Sequence, residues 1–254
     1  MCLILVAWHA HPDYPLVVAA NRDEFFARPA APAAWWAGQG IFAGRDLEAG
    51  GTWLGVGRSG RFAGLTNFRD PARLRSGTPT RGALVADFLA GDESTAAALA
   101  RLEHQGPRYN AFNLLVCDGA TLGIYESERR AARLLEPGVH ALSNHLLDTP
   151  WPKVKAGRSR LARALAALPD DTPLRELLRD DRPAPDAELP RTGVSLAWER
   201  MLSSAFIRAP GYGTRCSTVF TLDRHGWAHF TESTWNEVGS ETGRVVERFQ
   251  IARA

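Results

Sequence analysis

Apolar runs separated by short polar turns dominate the first third of this chain. The run CLILVAW at residues 2–8 is apolar at every position, which is typical of a strand buried on both faces. The segment PLVVAANRDE follows a short turn with proline and aspartate, so the two runs predict an antiparallel hairpin. Further hairpins are predicted around Gly60 and Asp118–Gly119, and a late one from STVFTL and GWAHFTE.

Helical periodicity appears in three places between these strand pairs. Thr80 is a predicted N-cap for RGALVADFLAG, and Ser94 for TAAALARL. WPKVKAGRSRLARALAAL is amphipathic, with Pro152 suited to its first turn. Paired strands with helices grouped between them predict an α+β fold. No repeat or shift of composition divides the chain, so one domain over residues 1–254 is expected.

Charge, hydropathy and cysteine usage exclude several classes of protein. The net charge of +2 comes with arginines scattered among acids, so no nucleic-acid partner is expected. No apolar run approaches the roughly 20 residues of a membrane span, and the apolar start lacks the basic region of a signal peptide. Three cysteines in a long chain imply no disulfide framework, so a reducing, cytoplasmic location is expected.

The position of Cys2 admits a chemical interpretation beside a structural one. Loss of Met1 would leave Cys2 with both a thiol and a free α-amine, whose ordinary pKa is about 7.7 to 8. One residue would then supply nucleophile and base. The alternative is a thiol that only fills space in a buried strand.

Polar residues at the ends of apolar strands are the other candidates for chemistry. Asp23, within NRDE at residues 21–24, could hold an α-ammonium beside it. Asn67 ends an apolar strand, where its amide could donate to a developing oxyanion. Asn144 ends another strand, and Arg215 opens a late one, where a cation could lower the pKa of a thiol. Each of these residues alone is equally compatible with a turn or a solvated strand end.

Metal binding has little support in this sequence. His9 and His11 could offer two ligands, but no third and fourth ligand follow at a recognisable spacing, so no metal site is expected.

Six short motifs occur in the order found in the NRDE protein family, the family of transport and Golgi organisation. They are NRDE at 21–24, GGTWLG at 50–55, LTNFR at 65–69, FNLL at 112–115, SNHLLDTPWPKV at 143–154 and YGTRCSTV at 212–219. The resemblance covers essentially the whole chain. That family is in turn similar to N-terminal nucleophile (Ntn) hydrolases of the choloylglycine and penicillin-acylase kind. The resemblance implies a four-layer αββα sandwich, with two antiparallel sheets between layers of helices.

The same resemblance implies a role for each candidate residue. Cys2 would be nucleophile and base, with Asp23 as the acid beside it. Asn67 would be an oxyanion donor, Asn144 a second polar group in the pocket, and Arg215 a late cation. The expected substrate-binding residues are Asn21, Arg22 and Trp53.

Two positions depart from the pattern of those hydrolases. They carry an arginine three residues before the aspartate, where this chain has Ala20. Arg22 lies on the same strand face as residue 20, so we expect Arg22 to replace that arginine in part. Cys216 stands where the resemblance leads us to expect serine.

Two functions therefore remain open at the level of sequence. One is an amidohydrolase that attacks a small amide or acyl substrate through Cys2 and uses no cofactor. The other is a carrier of haem or an acyl lipid on the same scaffold, without catalysis. Haem would be bound non-covalently because no CxxCH motif is present, with His9, His11 and Cys2 as candidate ligands.

Overall fold

The protein consists of two stacked antiparallel sheets, and a computed structural model describes residues 2–252 of the chain. The strands of the first sheet are β1 (Cys2–Trp8), β2 (Leu16–Phe25), β10 (Gly138–Leu142), β11 (Arg208–Ala209), β12 (Tyr212–Leu222), β13 (Trp227–Trp235) and β14 (Glu241–Gln250). The strands of the second sheet are β3 (Ala30–Trp35), β4 (Ile41–Asp46), β5 (Leu54–Gly57), β6 (Phe62–Asn67), β7 (Phe112–Cys117), β8 (Leu122–Glu126) and β9 (Ala131–Leu134). The helices are α1 (Gly82–Ala90), α2 (Thr95–Gln105), α3 (Pro152–Ala164), α4 (Thr172–Leu177) and α5 (Leu196–Leu202).

The strand order explains why the N-terminal strand is so apolar. The first sheet runs β10-β1-β2-β12-β13-β14, with β11 beside β12, and the second runs from β3 to β9 in chain order. Strand β1 lies between β10 and β2 and is buried along its whole length. Because side chains alternate along a strand, both of its faces must be apolar to be covered on both sides.

Three apolar clusters show the layers directly. The first fills the space between the sheets and includes Ile4 and Val6 of β1 with Phe62 of β6. The second lies between the second sheet and helices α1 and α2, and the third between the first sheet and helices α3 and α4. Leu3 and Leu5, the odd residues of β1, belong to the third cluster. The predicted α+β class and the αββα order of layers are therefore confirmed.

Helix starts follow the sequence at some positions and depart from it at one. Ser94 caps α2 by accepting a hydrogen bond from the Ala97 amide at 3.2 Å, as predicted. The predicted cap at Thr80 is wrong: α1 starts at Gly82, and Arg81 precedes it without a side-chain cap. The Thr52 amide donates to the Gly82 carbonyl at 3.3 Å, which holds this helix start against a turn of the second sheet.

None of the helices within residues 2–252 combines the length and the hydropathy of a membrane-spanning helix.

A close contact between α3 and β1 makes the first measurable prediction. A Cβ atom added at Gly157 would lie 2.7 Å from Leu5 Cδ2, so Gly157→Ala must displace either the buried Leu5 side chain or α3. We expect a loss of about 2 kcal/mol in the free energy of unfolding, measured by urea denaturation. Gly243→Ala is the control, because no atom lies within 4 Å of its added Cβ. Equal stability of the two variants would contradict this account of the packing.

Candidate functional site

A cleft of about 380 Å³ opens where one end of the first sheet meets the second sheet. Cys2, Arg22 and Cys216 line it from the first sheet. Asn67 and Trp53 line it from β6 and the start of β5. Residues 78–82, which lead into α1, complete the wall opposite the first sheet.

The register of the first sheet sets what faces the Cys2 thiol. Cys2 of β1 pairs with Arg22 of β2, which pairs with Cys216 of β12. Paired residues share a face of a sheet, so these three side chains point together into the cleft. Burial raises the pKa of the Cys2 thiol, nearby Asp23 raises it further, and Arg22 opposes both. At neutral pH the sulfur is therefore a thiol, and it needs a base before it can attack.

Hydrogen bonds also fix the backbone of Cys2. Its nitrogen donates to Asn144 Oδ1 over 3.4 Å, and Ser143 Oγ donates to the Cys2 carbonyl over 3.2 Å. Asn144 is itself fixed, because its Nδ2 donates to the Asn67 carbonyl over 2.9 Å. Its carbonyl also accepts from the Arg69 amide at 2.7 Å. Asn144 therefore orients the nitrogen of Cys2 through its side-chain oxygen.

The Asn67 side chain faces the cleft. Asn67 is the last residue of β6 and pairs with Phe112 of β7, which fixes its backbone. Within residues 2–252, its side-chain amide has no hydrogen-bond partner, and it lines the cleft together with Cys2. An open N–H group in a cleft can donate a hydrogen bond to an oxygen atom of a bound molecule.

Asp23 lies just behind Cys2 and is almost fully buried. It sits one residue beyond the partner of Cys2 on β2, and Thr214 Oγ1 donates to its Oδ1 at 2.7 Å. Burial raises the pKa of Asp23, and the nearby cations Lys153 and Arg69 oppose the rise. The carboxyl group therefore belongs to a buried cluster of ionisable groups beside the chain start.

Lys153 and the pair of Arg69 with Glu199 complete this buried cluster. Arg69 Nη1 lies 2.9 Å from Glu199 Oε2, and the two side chains are only 3% and 4% exposed. Arg69 also lies over the Trp151 ring, at 4.7 Å from its centroid. Lys153, in the first turn of α3, is buried, and its Nζ has no hydrogen-bond partner among the described residues. The buried cluster thus holds two acids and two bases, of which Asp23 and Lys153 interact electrostatically with Cys2.

The burial of Lys153 in this cluster predicts that the stability of the protein depends on pH. Burial lowers the pKa of Lys153 from 10.5 to about 8, against the attraction of Asp23. Between these values the unfolded chain binds the proton and the folded chain does not, so stability rises with pH. Relative to Lys153→Met, we expect the parent protein to gain about 2 kcal/mol between about pH 7.5 and 9.5.

The control for this experiment is the second lysine of the chain. Lys155 lies two residues further along α3 and is exposed, so Lys155→Met removes an amine from water rather than from the cluster. Urea unfolding of all three proteins across this pH range isolates the buried amine. A pH-independent difference between the parent and Lys153→Met would contradict the prediction.

Arg22 shares a face of β2 with Ala20, the position of the missing arginine, but lies opposite a different residue of β1. Ala20 pairs with Ile4 and Thr218, and Arg22 pairs with Cys2, so both face the space between the sheets. Arg22 Nη2 lies 3.5 Å from Asp46 Oδ2, and that carboxylate is held more closely by Arg28 Nε at 2.7 Å. Arg22 thus faces both thiols of the cleft without a close ion pair of its own.

Arg215 is anchored differently from the role implied for it. The pairing of β12 with β2 shifts between Thr214 and Cys216, and Arg215 is the residue at this bulge. Its Nη1 donates to the carbonyls of Phe25 and Arg28 at 2.8 and 2.9 Å. It lines the cleft, but Arg22 is the arginine that lowers the pKa of the Cys2 thiol.

Asn21 and Trp53 lie on different sides of the first sheet. The Asn21 amide donates to the carbonyls of Leu178 and Ala205, both at 2.8 Å, and its oxygen accepts from Ser217 at 2.6 Å. The interpretation of Asn21 as a substrate-binding residue is corrected here, because it faces the helices with its hydrogen bonds filled. Trp53 lines the cleft.

Gly51 brings the Trp53 turn close to α1. It has a φ of +66°, and an added Cβ would lie 2.5 Å from the Gly82 carbonyl carbon. Only glycine combines that backbone angle with that approach. The motif GGTWLG therefore brings two walls of the cleft together.

His9 and His11 lie away from the cleft. His9 follows the last residue of β1, at the end of the strand opposite Cys2 and about 20 Å away by strand geometry. The three residues cannot ligate one iron atom. A haem bound in the cleft would have Cys2, and neither of these histidines, within reach.

Four charged residues near the thiol escaped the sequence interpretation. Arg69 is part of the motif LTNFR, and Lys153 is part of SNHLLDTPWPKV. Since the chain has only two lysines, Lys153 could have been recognised as a candidate site residue. Arg81 and Glu232 come from unremarkable segments. Glu232 lies on the cleft floor, where it accepts from the Ala33 amide at 2.7 Å and ties the two sheets together.

Comparison with protein families gives a match over most of the chain. A family model described as "Transport and Golgi organisation 2" matches residues 1–237. The Transport and Golgi organization protein 2 homolog of Bos taurus is 36% identical over 269 residues, which cover 96% of each chain. The human homolog is 35% identical over 91% of this chain and 92% of its own. The Drosophila melanogaster protein is 30% identical over 92% of each chain.

Comparison with solved structures finds two variants of one bacterial enzyme. The crystal structure of a mutant conjugated bile acid hydrolase from Clostridium perfringens has a TM-score of 0.47 and 11% identity, over 99% of this chain and 92% of its own. A second variant of the same hydrolase has a TM-score of 0.48 and 9% identity, over 100% and 98% of the two chains.

Proposed function

The chain belongs to the Transport and Golgi organisation 2 family, and we propose that it is a cysteine amidohydrolase whose nucleophile is the N-terminal Cys2. The substrate is a small amide or acyl compound that enters the cleft. The proposal needs Cys2 to be the first residue of the mature protein. Met1 lies outside the described residues, so its removal is part of the proposal.

The position of the Cys2 nitrogen is the observation that carries the proposal. It donates to the Asn144 side chain, and the buried groups Asp23 and Lys153 lie close enough to Cys2 to interact with it electrostatically. A thiol that served only for packing would need none of these groups near its backbone. In a chain that begins at Cys2, the same nitrogen is a free amine held close to its own thiol.

The buried cluster also favours the neutral form of that amine. Asp23 and Glu199 supply at most two negative charges, and Arg69 and Lys153 already supply cations. A protonated amine would add a third positive charge to a buried site, which disfavours its charged form. A neutral amine near pH 7 can accept the thiol proton.

The first half of the reaction forms a thioester. The amine takes the thiol proton, and the sulfur forms a bond to the amide carbon. The Asn67 N–H donates to the oxygen that gains the negative charge. The carbon–nitrogen bond then breaks, and the ammonium of Cys2 returns its proton to the leaving amine.

The second half of the reaction restores the enzyme. A water molecule gives a proton to the Cys2 amine and attacks the thioester carbon. The carbon–sulfur bond breaks, the carboxylic acid leaves, and the sulfur recovers its proton. All three cysteines are free in the structure, and a reducing, cytoplasmic setting would keep the nucleophile in this form.

A carrier without catalysis would use the same cleft, and the charges of the cleft make it the weaker candidate. Arginine, aspartate and glutamate side chains make up about a third of its lining residues, beside apolar groups such as Trp53 and Leu65. Pockets for haem or acyl chains are predominantly apolar. The carrier alternative predicts saturable haem or lipid binding with no product formed, so it is tested by the same preparation.

The experiment begins with the mass of the protein purified from its native host. We expect loss of Met1, because only then does Cys2 carry an amine. Incubation with the para-nitroanilides of acetate and octanoate should release nitroaniline and leave the acyl mass on the peptide that starts at Cys2. Retention of Met1 would remove the proposed base and overturn the mechanism.

A further inference from the structure

The cleft holds more cationic than anionic groups that a ligand could reach. Its lining includes the arginines at positions 22, 28, 45, 81 and 215. Among the lining acids, Asp46 is already bound by Arg28 Nε at 2.7 Å. Asp23 and Glu232 are buried, and burial raises the pKa of each. Glu24 remains as a carboxylate near the cleft.

Arg81 is the arginine on the wall of the cleft formed by residues 78–82. It lies directly before α1, and within residues 2–252 no carboxylate oxygen lies within 4.0 Å of its guanidinium. Its Nη1 donates only to the Ala111 carbonyl, at 3.2 Å. Burial lowers the pKa of Arg81, and the field of the Cys2 sulfur, then that of Glu24, opposes the change. A partly buried guanidinium with open donors therefore stands near the thiol.

Arg215 offers a second cation on the opposite wall. Its donors go to two backbone carbonyls rather than to a carboxylate, and its Nε is buried without a partner among the described residues. Its positive charge is therefore not neutralised by an ion pair. Buried arginines are ordinarily paired with acids, and arginines left open in a cleft are suited to a carboxylate or phosphate of a ligand.

From this arrangement we infer that the cleft recognises an oxyanion, a carboxylate or a phosphate, carried by the substrate close to its reacting carbonyl, with Arg81 as its principal contact and Arg215 adding charge. The inference rests on the proposed function for the reacting carbonyl. Glu24 opposes the anion and sets the selectivity by repelling a second negative group.

Alkylation of Cys2 tests the anion site without any hydrolysis. Iodoacetate and iodoacetamide differ only in the charge of one small group, and mass mapping separates Cys2 from Cys216. We expect the rate ratio of iodoacetate to iodoacetamide at Cys2 to be at least about tenfold higher in the folded protein than in the protein unfolded in urea. High salt should lower the iodoacetate rate and leave the iodoacetamide rate unchanged.

Variants assign the effect to Arg81. Arg81→Gln should lower the rate ratio at least about fivefold, and Arg81→Lys should restore part of it. Arg224→Gln is the matched control, because Arg224 pairs with Asp13 at 3.2 Å outside the residues that line the cleft. A ratio equal to that of the unfolded chain, or one unchanged in Arg81→Gln, would overturn the inference.

Direct binding covers the case in which neither reagent reaches the thiol. Cys2→Ala is titrated by calorimetry with hexanoylglycine, hexyl phosphate and the neutral hexanoylglycinamide. Preference for hexanoylglycine identifies a carboxylate and preference for hexyl phosphate a phosphate, whereas equal binding of all three overturns the anion site. Anion preference without turnover in the parent protein would overturn the proposed hydrolase alone.

Discussion

Replacing Cys2 by alanine is expected to lower the kcat/KM of amide hydrolysis by at least about 10³-fold, because no other group would attack the carbonyl. The side chain is 8% exposed and small, so the free energy of unfolding should change by about 1 kcal/mol or less. Binding of a product acid should persist. The measurements are release of nitroaniline, urea unfolding and calorimetric titration with the acid.

Two further variants make this result specific to the thiol at position 2. Cys2→Ser keeps the amine and the shape but offers a weaker nucleophile, so it should retain a small residual rate and accumulate no thioester. Cys117→Ala removes a buried thiol of β7, outside the cleft, and should keep the parent rate. Full activity of Cys2→Ala would show that the reaction uses another nucleophile.

Neutralising Glu199 is expected to cost about 3 to 5 kcal/mol in the free energy of unfolding, because it removes the carboxylate that lies 2.9 Å from the buried Arg69 guanidinium. Glutamine keeps the oxygen that accepts from the Thr192 amide at 2.7 Å, so the loss reports the charge rather than that hydrogen bond. The double variant Arg69→Met with Glu199→Gln removes both charges and should recover at least half of the loss.

The neighbouring residue on α5 supplies the control. Arg200 lies 2.6 Å from Asp186, and both side chains are 52% exposed. Exposed pairs contribute less than about 1 kcal/mol, so Arg200→Gln should unfold close to the parent. If Glu199→Gln and Arg200→Gln unfold alike, the buried pair does not stabilise the site as described.

Strong, continuous patterns in the sequence predicted the layers of the fold. CLILVAW and LVVAA become the paired strands β1 and β2 because both faces of that sheet are covered. Strands β3 and β9 were not predicted, since AAPAAW and AARL lack the β-branched residues and the alternation that mark a strand. Both segments form strands because they pair with neighbouring strands of the second sheet, β3 with β4 and β9 with β8.

Some residues of the candidate site could be placed from the sequence and others could not. Cys2, Asn67 and Asn144 are at or near strand ends, so their positions could be anticipated from the chain. Side chains alternate along β2, so if Arg22 faces Cys2, Asn21 must face the helices. The alternation could have been applied to NRDE at the level of sequence, but the motif was interpreted as a single unit. Arg81 and Lys153 reach the site from the starts of helices and Glu199 from the middle of α5, so their positions depend on tertiary packing.

The burial of strand β1 also indicates which parts of the cleft should be rigid and which should be flexible. Residues 4–8 of β1 are hydrogen-bonded to strands on both sides and buried on both faces, so their amide protons should exchange with heavy water only when the whole domain opens. Residues 71–77, which precede the cleft-lining residues 78–82, are exposed and should exchange far sooner. We therefore expect the strand that carries the thiol to stay in place while the exposed segment that leads to Arg81 adjusts to an incoming molecule.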